Sequence, residues 1–187
     1  MISLKNYRVA VMATDGFEES ELTEPLKALR EAGAQVDIIG LKLGKIQGFK
    51  HHDKSILVAV DKTILQVQAQ DYDALVLPGG ALNADALRID AKAQKFAKTM
   101  QSLNRPIAFI CHAAWLLVSA DIVRGRTLTS YKTIQDDLKN AGAHWVDLEV
   151  VVDDNFVSSR QPQDIPAFNR EMLQLISSAP TSKKLAA

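Results

Sequence analysis

The sequence predicts a three-layer α/β domain built on a mostly parallel central sheet. Short apolar runs alternate along the chain with stretches of helical spacing, the order that produces parallel strands joined by helices. The breaks fall where such elements end: Gly33 follows a helical stretch and Pro78-Gly79-Gly80 stops an apolar run. A length of 187 residues, 47% hydrophobic and 24% charged, suits one globular unit with a real core.

Tyr7 to Ala13 reads as a short apolar strand. Glu18 to Ala32 has Leu22, Leu26 and Leu29 on one helical face, and Gln35 to Ile39 is a second strand. This strand–helix–strand unit implies a right-handed crossover. Lys45 to Phe49 and Ile56 to Val60 flank His51-His52-Asp53 and read as a hairpin excursion. Asp73 to Leu77 and Pro106 to Ile110 are buried strands, followed by helices over Ala91 to Leu103 and His112 to Ala120. Arg126 to Thr129 is a brief strand and Ile134 to Ala141 a helix. Trp145 to Val152 and Phe156 to Ser159 are strands around Asp153-Asp154-Asn155, and Ile165 to Ile176 is the last helix. The domain is therefore placed at residues 1–176, with 177–187 a polar, aperiodic tail.

Charge and cysteine content narrow the function classes. Lys plus Arg and Asp plus Glu both number 22, so no basic surplus points to nucleic acid or an anionic membrane, and neither is expected as a partner. A single cysteine cannot form an intrachain disulfide and suits a reducing compartment, so a cytoplasmic protein is expected. The N-terminus lacks the apolar core of a secretory signal, and no apolar run is long enough to span a bilayer. There is no C-x-x-C, no G-x-G-x-x-G, no phosphate-loop signature and no H-E-x-x-H, so no cofactor and no metal are expected.

Ligands of open α/β sheets bind at the carboxyl ends of strands, and three such ends carry chemistry. The first is Cys111, in R-P-I-A-F-I-C-H-A-A-W-L-L, where a strand runs directly into a helix. A helix N-terminus favours a thiolate, and the arrangement has the logic of a nucleophile elbow. A buried structural cysteine is the alternative; the strand–Cys-His–helix context favours the nucleophile. The second end is Pro78-Gly79-Gly80. The N–H groups of Gly79 and Gly80 could face a developing oxyanion with that of His112 as partner, or the motif could be a plain strand-ending turn. The third is D-G-F-E-E-S-E-L, in which Glu18, Glu19 and Glu21 occupy a helix's first turn. Complementing the helix dipole is the ordinary role of such acids. Alternatively one of them, best Glu21, reaches the cysteine sulfur as a buried carboxyl with a raised pKa. His112 could move protons, although its side chain diverges from that of Cys111 unless the backbone bends, and no third group to orient it is evident. His144 reads as structural, and His51 and His52 as a solvated turn.

These segments resemble the PfpI intracellular-protease family, within the superfamily that includes the Parkinson-disease-associated protein deglycase. The resemblance runs from the first strand to about Leu175 through G-F-E-E-S-E-L, D-A-L-V-L-P-G-G, I-C-H-A-A-W-L-L-V-S-A-D-I-V-R-G-R-T-L-T-S-Y, D-D-L-K-N-A-G-A-H-W-V-D-L-E-V-V-V-D and S-S-R-Q-P-Q-D-I-P-A-F. It implies a flavodoxin-like fold of the type shared with class I glutamine amidotransferases. It makes Cys111 the nucleophile, His112 its neighbouring histidine and Glu21 the carboxyl that contacts the cysteine. Asp85, in A-L-N-A-D-A-L-R, matches an acid that a second subunit donates to a Cys-His-Asp/Glu triad, which implies a homodimer or homohexamer. The sequence departs from the pattern twice: the usual proline before that acid is missing, with a possible extra residue, and Ala-Ala follows His112 where many members have Gly-Pro. Without the family, Asp85 would read as the N-cap of a following helix. No H-x-E occurs downstream, which argues against glutamine hydrolysis.

The resemblance implies a cysteine-dependent stress-response enzyme acting on small reactive carbonyls, a glutathione-independent glyoxalase or deglycase, for which a small shallow site would suffice. Two alternatives stand beside it. One is an intracellular cysteine peptidase acting on peptides through Cys111, His112 and Asp85. The other is a non-enzymatic redox sensor or chaperone that uses an exposed, oxidisable Cys111.

Overall fold

The structure is a computed structural model and describes residues 2–181. Its strands are β1 (Arg8–Met12), β2 (Phe17–Glu18), β3 (Gln35–Gly40), β4 (Gly44–Lys50), β5 (Asp53–Val60), β6 (Lys62–Thr63), β7 (Ala74–Leu77), β8 (Ile107–Ile110), β9 (Thr127–Leu128), β10 (His144–Trp145), β11 (Val150–Asp153) and β12 (Phe156–Ser159). Its helices are α1 (Glu19–Glu31), α2 (Ala81–Arg88), α3 (Ala91–Ser102), α4 (Ala114–Ser119), α5 (Gln135–Asn140) and α6 (Ile165–Ser178).

Seven strands form the main sheet in the order β11-β12-β8-β7-β1-β3-β6, and every neighbouring pair is parallel except β11 with β12. The central strands β1, β7 and β8 are apolar at almost every position because both faces are covered, and alternate residues serve opposite layers. Val9 and Val11 of β1 join Leu22, Leu26 and Leu29 of α1 and Phe168 and Met172 of α6. Ala10 and Met12 join Phe96 and Met100 of α3 and Leu116 and Leu117 of α4. A three-layer α/β sandwich results, with β1, β7 and β8 ending side by side at one edge.

A second, three-stranded sheet stands off this edge, in the order β2-β4-β5. The expected hairpin is thus present, with His51 and His52 at its tip. Its pairing with β2 is what ties that tip to the start of α1.

Two expectations need correction. Trp145 to Val152 is not one strand. His144–Trp145 pairs with β9, and a separate strand begins at Val150 against β12. The long apolar run serves two different sheets. The tail does not begin at residue 177 either: α6 continues to Ser178, and the Tyr7 hydroxyl donates to the carbonyls of Ser177 (3.2 Å) and Ala179 (2.8 Å). Residues 182–187 of that expected tail lie outside the described residues. Among the described residues, no helix is long and apolar enough to cross a membrane.

Candidate active site

The site is assembled where β7, β8 and α1 meet. β8 is fully buried and delivers Cys111 at its carboxyl end. The backbone there turns sharply: Ile110 is extended, whereas Cys111 has φ +63°. A non-glycine residue in this region costs about 1–2 kcal/mol, and strain of this kind persists only where the surroundings impose it. The bend has a direct chemical result. It swings two consecutive side chains together, so that Cys111 Sγ lies 3.2 Å from His112 Nδ1. The divergence expected of neighbouring residues is therefore overcome.

Cys111 is only 7% exposed. Burial pushes its thiol well above the ordinary value; contact with Glu21 acts in the same direction when that carboxyl is ionised, and backbone N–H groups of Gly80 and His112 oppose it. This corrects the expectation of an exposed thiolate supported by a helix N-terminus. α4 begins only at Ala114, after a single tight turn, and has six residues. Desolvation outweighs what so short a helix offers. The sulfur's stabilisation comes instead from individual donors.

Glu21 is the acid in contact with the sulfur. It is fully buried in the first turn of α1. Its Oε2 accepts the Gly79 N–H at 3.0 Å, while Oε1 has no nitrogen or oxygen partner among the described residues. Burial, with the charge of Glu18 second, raises its pKa to about 8, and hydrogen bonds with Cys111 and Gly79 lower it only partly. At neutral pH the carboxyl keeps its proton. Two buried acids in contact cannot both ionise cheaply, so both are pushed up, titrate as a coupled pair and keep their protons at neutral pH. The other acids of the cluster turn elsewhere: Glu19 Oε1 lies 3.4 Å from Lys50 Nζ, and Glu18 Oε2 accepts the His51 N–H at 3.0 Å.

Pro78-Gly79-Gly80 supplies the third wall, and here both glycines are sterically required. A Cβ on Gly79 would lie 2.3 Å from Glu21 Oε2 and 2.6 Å from Cys111 Cβ. Gly80 has φ +92°, and a Cβ there would meet the Gly16 carbonyl at 2.2 Å. The oxyanion assignment of Gly79 needs correction, since its N–H is already committed to Glu21. The N–H groups of Gly80 and His112 do face the sulfur.

His112 is half-buried, which lowers its pKa and keeps the ring neutral near pH 7. Its orientation, for which the sequence showed no partner, comes from three side chains. The ring stacks on Tyr131 with centroids 4.8 Å apart, meets the Trp115 ring edge-on at 5.3 Å, and places Nε2 3.4 Å from Thr133 Oγ1. Trp115 had a detectable signal, lying three residues after His112 on the same helical face. Tyr131 and Thr133 had none, because they arrive from a distant loop.

Cys111 and His112 face a cleft of about 690 Å³. Its walls include Glu18, Phe49, Leu82, Tyr131 and Gln161, and the hairpin brings His51 and His52 to its rim. A small shallow site would suffice for a small carbonyl, whereas this is a sizeable cleft, and the two histidines read as a solvated turn also border it. Asp85 lies elsewhere. It is exposed in the middle of α2 rather than at an N-cap; the cap nearby is Asp90, which accepts the N–H groups of Lys92 and Ala93 for α3. Asp85 does not line the cleft of its own chain. Among the described residues, no group of three or more metal-ligating side chains is present.

A model of the DJ-1/PfpI family matches residues 7–175. The chain is 46% identical to "Protein/nucleic acid deglycase 2" of Escherichia coli (strain K12), over 90% of this chain and 97% of that one. It is 45% identical to "Putative cysteine protease YraA" of Bacillus subtilis (strain 168), over 90% and 98%. Among solved structures, Drosophila melanogaster DJ-1beta superposes with a TM-score of 0.84 at 26% identity, over 96% of this chain and 95% of that one.

Proposed function

The chain belongs to the DJ-1/PfpI family, and on that premise we propose that it is a cysteine-dependent enzyme of the deglycase or glyoxalase type. Its substrate is a reactive carbonyl, borne as an adduct on an amine. The observation that carries this reading is Cys111 buried against Glu21, a carboxyl that keeps its proton at neutral pH, with the pair opening on a cleft.

The chemistry balances without a cofactor. As the carbon–nitrogen bond of an aminocarbinol breaks, the amine takes up a proton and the carbonyl is freed. Cys111 gives its thiol proton to the neutral His112 ring and adds through sulfur to the aldehyde carbon; the resulting alkoxide meets the N–H groups of Gly80 and His112 and takes that proton back. A proton then moves from that carbon to the adjacent one by way of Glu21 or His112, so one carbon is oxidised as its neighbour is reduced. Water cleaves the thioester that this leaves, releasing a hydroxy acid and restoring the thiol. Glu21 suits the proton transfer because its pKa of about 8 lies near the working range.

Cleft size favours an adduct over a free dicarbonyl. A volume of about 690 Å³ falls among sites that enclose whole drug-sized ligands, and a three-carbon aldehyde would leave it mostly filled with water. The sequence argued against nucleic acid from zero net charge. The name of the Escherichia coli relative weakens that exclusion, and the proposed adduct can sit on a protein or a nucleobase amine. The single free cysteine supports a cytoplasmic setting for this chemistry.

A peptidase reading draws on the 3.2 Å contact between Cys111 Sγ and His112 Nδ1 and on the name of the Bacillus relative. Within one chain the group behind His112 is Thr133, not a carboxylate. Asp85 completes a triad only from a second copy. In support of that assembly, Leu82 and Asp85 share an exposed face of α2 that continues to Ile89 just past its end, and Leu82 is 64% and Ile89 80% exposed.

The test compares wild type with Cys111→Ser on a methylglyoxal-treated lysine peptide, on free methylglyoxal and on an unmodified fluorogenic peptide. We expect wild type to restore the peptide amine, with higher kcat/KM on the adduct than on free methylglyoxal, and the variant to lose at least ~10³-fold. Equal rates for variant and wild type would sink the reading. Cleavage of the unmodified peptide alone would transfer it to the peptidase.

A further inference from the structure

We propose that Asn83, a residue with no assigned role, is the positioning residue that aims both backbone donors at the Cys111–Glu21 pair; the inference rests on that pair being the reacting centre.

Asn83 lies in α2 and is fully buried. Its Nδ2 donates to two successive carbonyls, Pro78 O and Gly79 O, both at 3.0 Å, and its Oδ1 accepts the Thr14 N–H at 2.8 Å. The side chain therefore pins the Pro-Gly-Gly turn to the segment that follows β1.

Peptide planarity gives this clamp its meaning. In a trans peptide the carbonyl of one residue and the N–H of the next lie in one plane and point opposite ways, and the described chain has no cis peptide bonds. Pro78 O shares its plane with Gly79 N–H, which donates to Glu21 Oε2 at 3.0 Å. Gly79 O shares its plane with Gly80 N–H, which faces the sulfur of Cys111. One side-chain amide thus holds the back of both planes whose fronts hold the two acids. Glycine makes the arrangement necessary. Neither peptide has a flanking side chain at Gly79 or Gly80 to restrict its rotation, so their orientation must come from outside. The Glu18 N–H reinforces only one of them, at 3.3 Å from Gly79 O.

A residue that merely stabilised the turn would change the melting temperature and leave the thiol alone. A positioning residue changes the thiol itself. Cys111 is the only cysteine, so its alkylation by iodoacetamide, followed by intact mass against pH, reads the site without any assumption about substrate. Asn83→Asp keeps the volume and an acceptor for Thr14 but replaces the donor with an oxygen facing two carbonyls. Asn83→Ala removes all three bonds. We expect the midpoint of the alkylation profile to move to higher pH in both, in protein that circular dichroism shows to be folded. The rate at pH 7 should fall about tenfold for every pH unit by which the midpoint rises. A folded variant whose profile superimposes on wild type overturns the proposal.

A measurement on wild type decides the matter should neither variant fold. The Asn83 side-chain amide resonances in a 15N-labelled sample should be resolved, protected from exchange, and shifted when Cys111 is alkylated. Averaged or unshifted resonances overturn the proposal. If wild type turns over no carbonyl substrate, the proposed function fails while the alkylation profiles still decide the role of Asn83.

Discussion

Two carboxyl groups, Glu21 and Asp37, lie toward opposite ends of the same parallel strands and titrate in opposite directions. Near the amino ends, burial pushes Asp37 up, but Lys62, Tyr72 and Arg8 more than offset it, leaving its pKa below the ordinary value. Asp37 Oδ2 alone takes Lys62 Nζ at 2.8 Å, the Tyr72 hydroxyl at 2.8 Å and Arg8 Nη2 at 3.1 Å. At the carboxyl ends Glu21 is more deeply buried, has no ion pair among the described residues, and receives one backbone N–H. Its pKa rises to about 8. The difference is not burial alone, which raises both, but whether the fold supplies cations. Where it does, the acid is a fixed charge joining strands. Where it withholds them, the acid keeps a proton to transfer.

The two sites also contribute opposite signs to stability. The folded pKa of Asp37 lies below its unfolded value. Its contribution is present above the unfolded pKa and is lost as pH falls through the folded one. The folded pKa of Glu21 lies above its unfolded value. Between roughly pH 4.5 and 8 the folded state holds a proton that the unfolded chain has released, so this group lowers stability as pH rises across that window.

The sharpest way to break the comparison is Glu21→Gln. The amide still accepts the Gly79 N–H but cannot transfer a proton. Turnover of carbonyl adducts should fall about 10²–10⁴-fold, the usual contribution of a positioned acid–base group. The decline in stability between pH 4.5 and 8 should flatten, as thermal melts across that range would show. Retained turnover would mean that Glu21 does not move the proton.

Asp37→Asn tests the other end. Thermal or urea denaturation at pH 7 should show a loss of about 1–2 kcal/mol, since the charge-assisted bonds are partly solvated. The penalty should shrink as pH falls through the folded pKa of Asp37, where wild type too has lost the charge. Carbonyl turnover per folded molecule should stay unchanged. A change in turnover would show that the two ends are coupled.

The sequence made much of this frame legible, for physical reasons that vary by residue. The runs A-L-V-L and I-A-F-I mark buried parallel strands because strands covered on both faces must be apolar throughout. Cys111 stood out because a tight turn from a buried strand into a helix is where a nucleophile is presented. Glu21 was legible as a candidate, whereas its protonation is a property of surroundings that α1, β7 and β8 create jointly. The fate of the Gly79 N–H, the contact of His112 with its own neighbour, and the approach of Tyr131 and Thr133 all depend on backbone direction at single peptides or on long-range closure. No local pattern carries that information. Asn83 is the clearest case, a polar residue in a short helix whose two carbonyl partners lie four and five residues back in a turn.

The finest adjustment of the comparison is at Glu18. Its charge is the second cause, after burial, of the raised pKa of Glu21. Glu18→Gln keeps an acceptor for the His51 N–H and removes only the charge. With one like charge gone, Glu21 should ionise at lower pH, so the alkaline side of the pH–rate profile should move down by less than about one pH unit, a change of under about tenfold at any pH. A group half-buried at the cleft rim is screened by solvent, so added salt should mimic part of this movement in wild type and have less effect on the variant. An unmoved profile would place the whole elevation of Glu21 on desolvation, and the two ends of the sheet would then differ by cations alone.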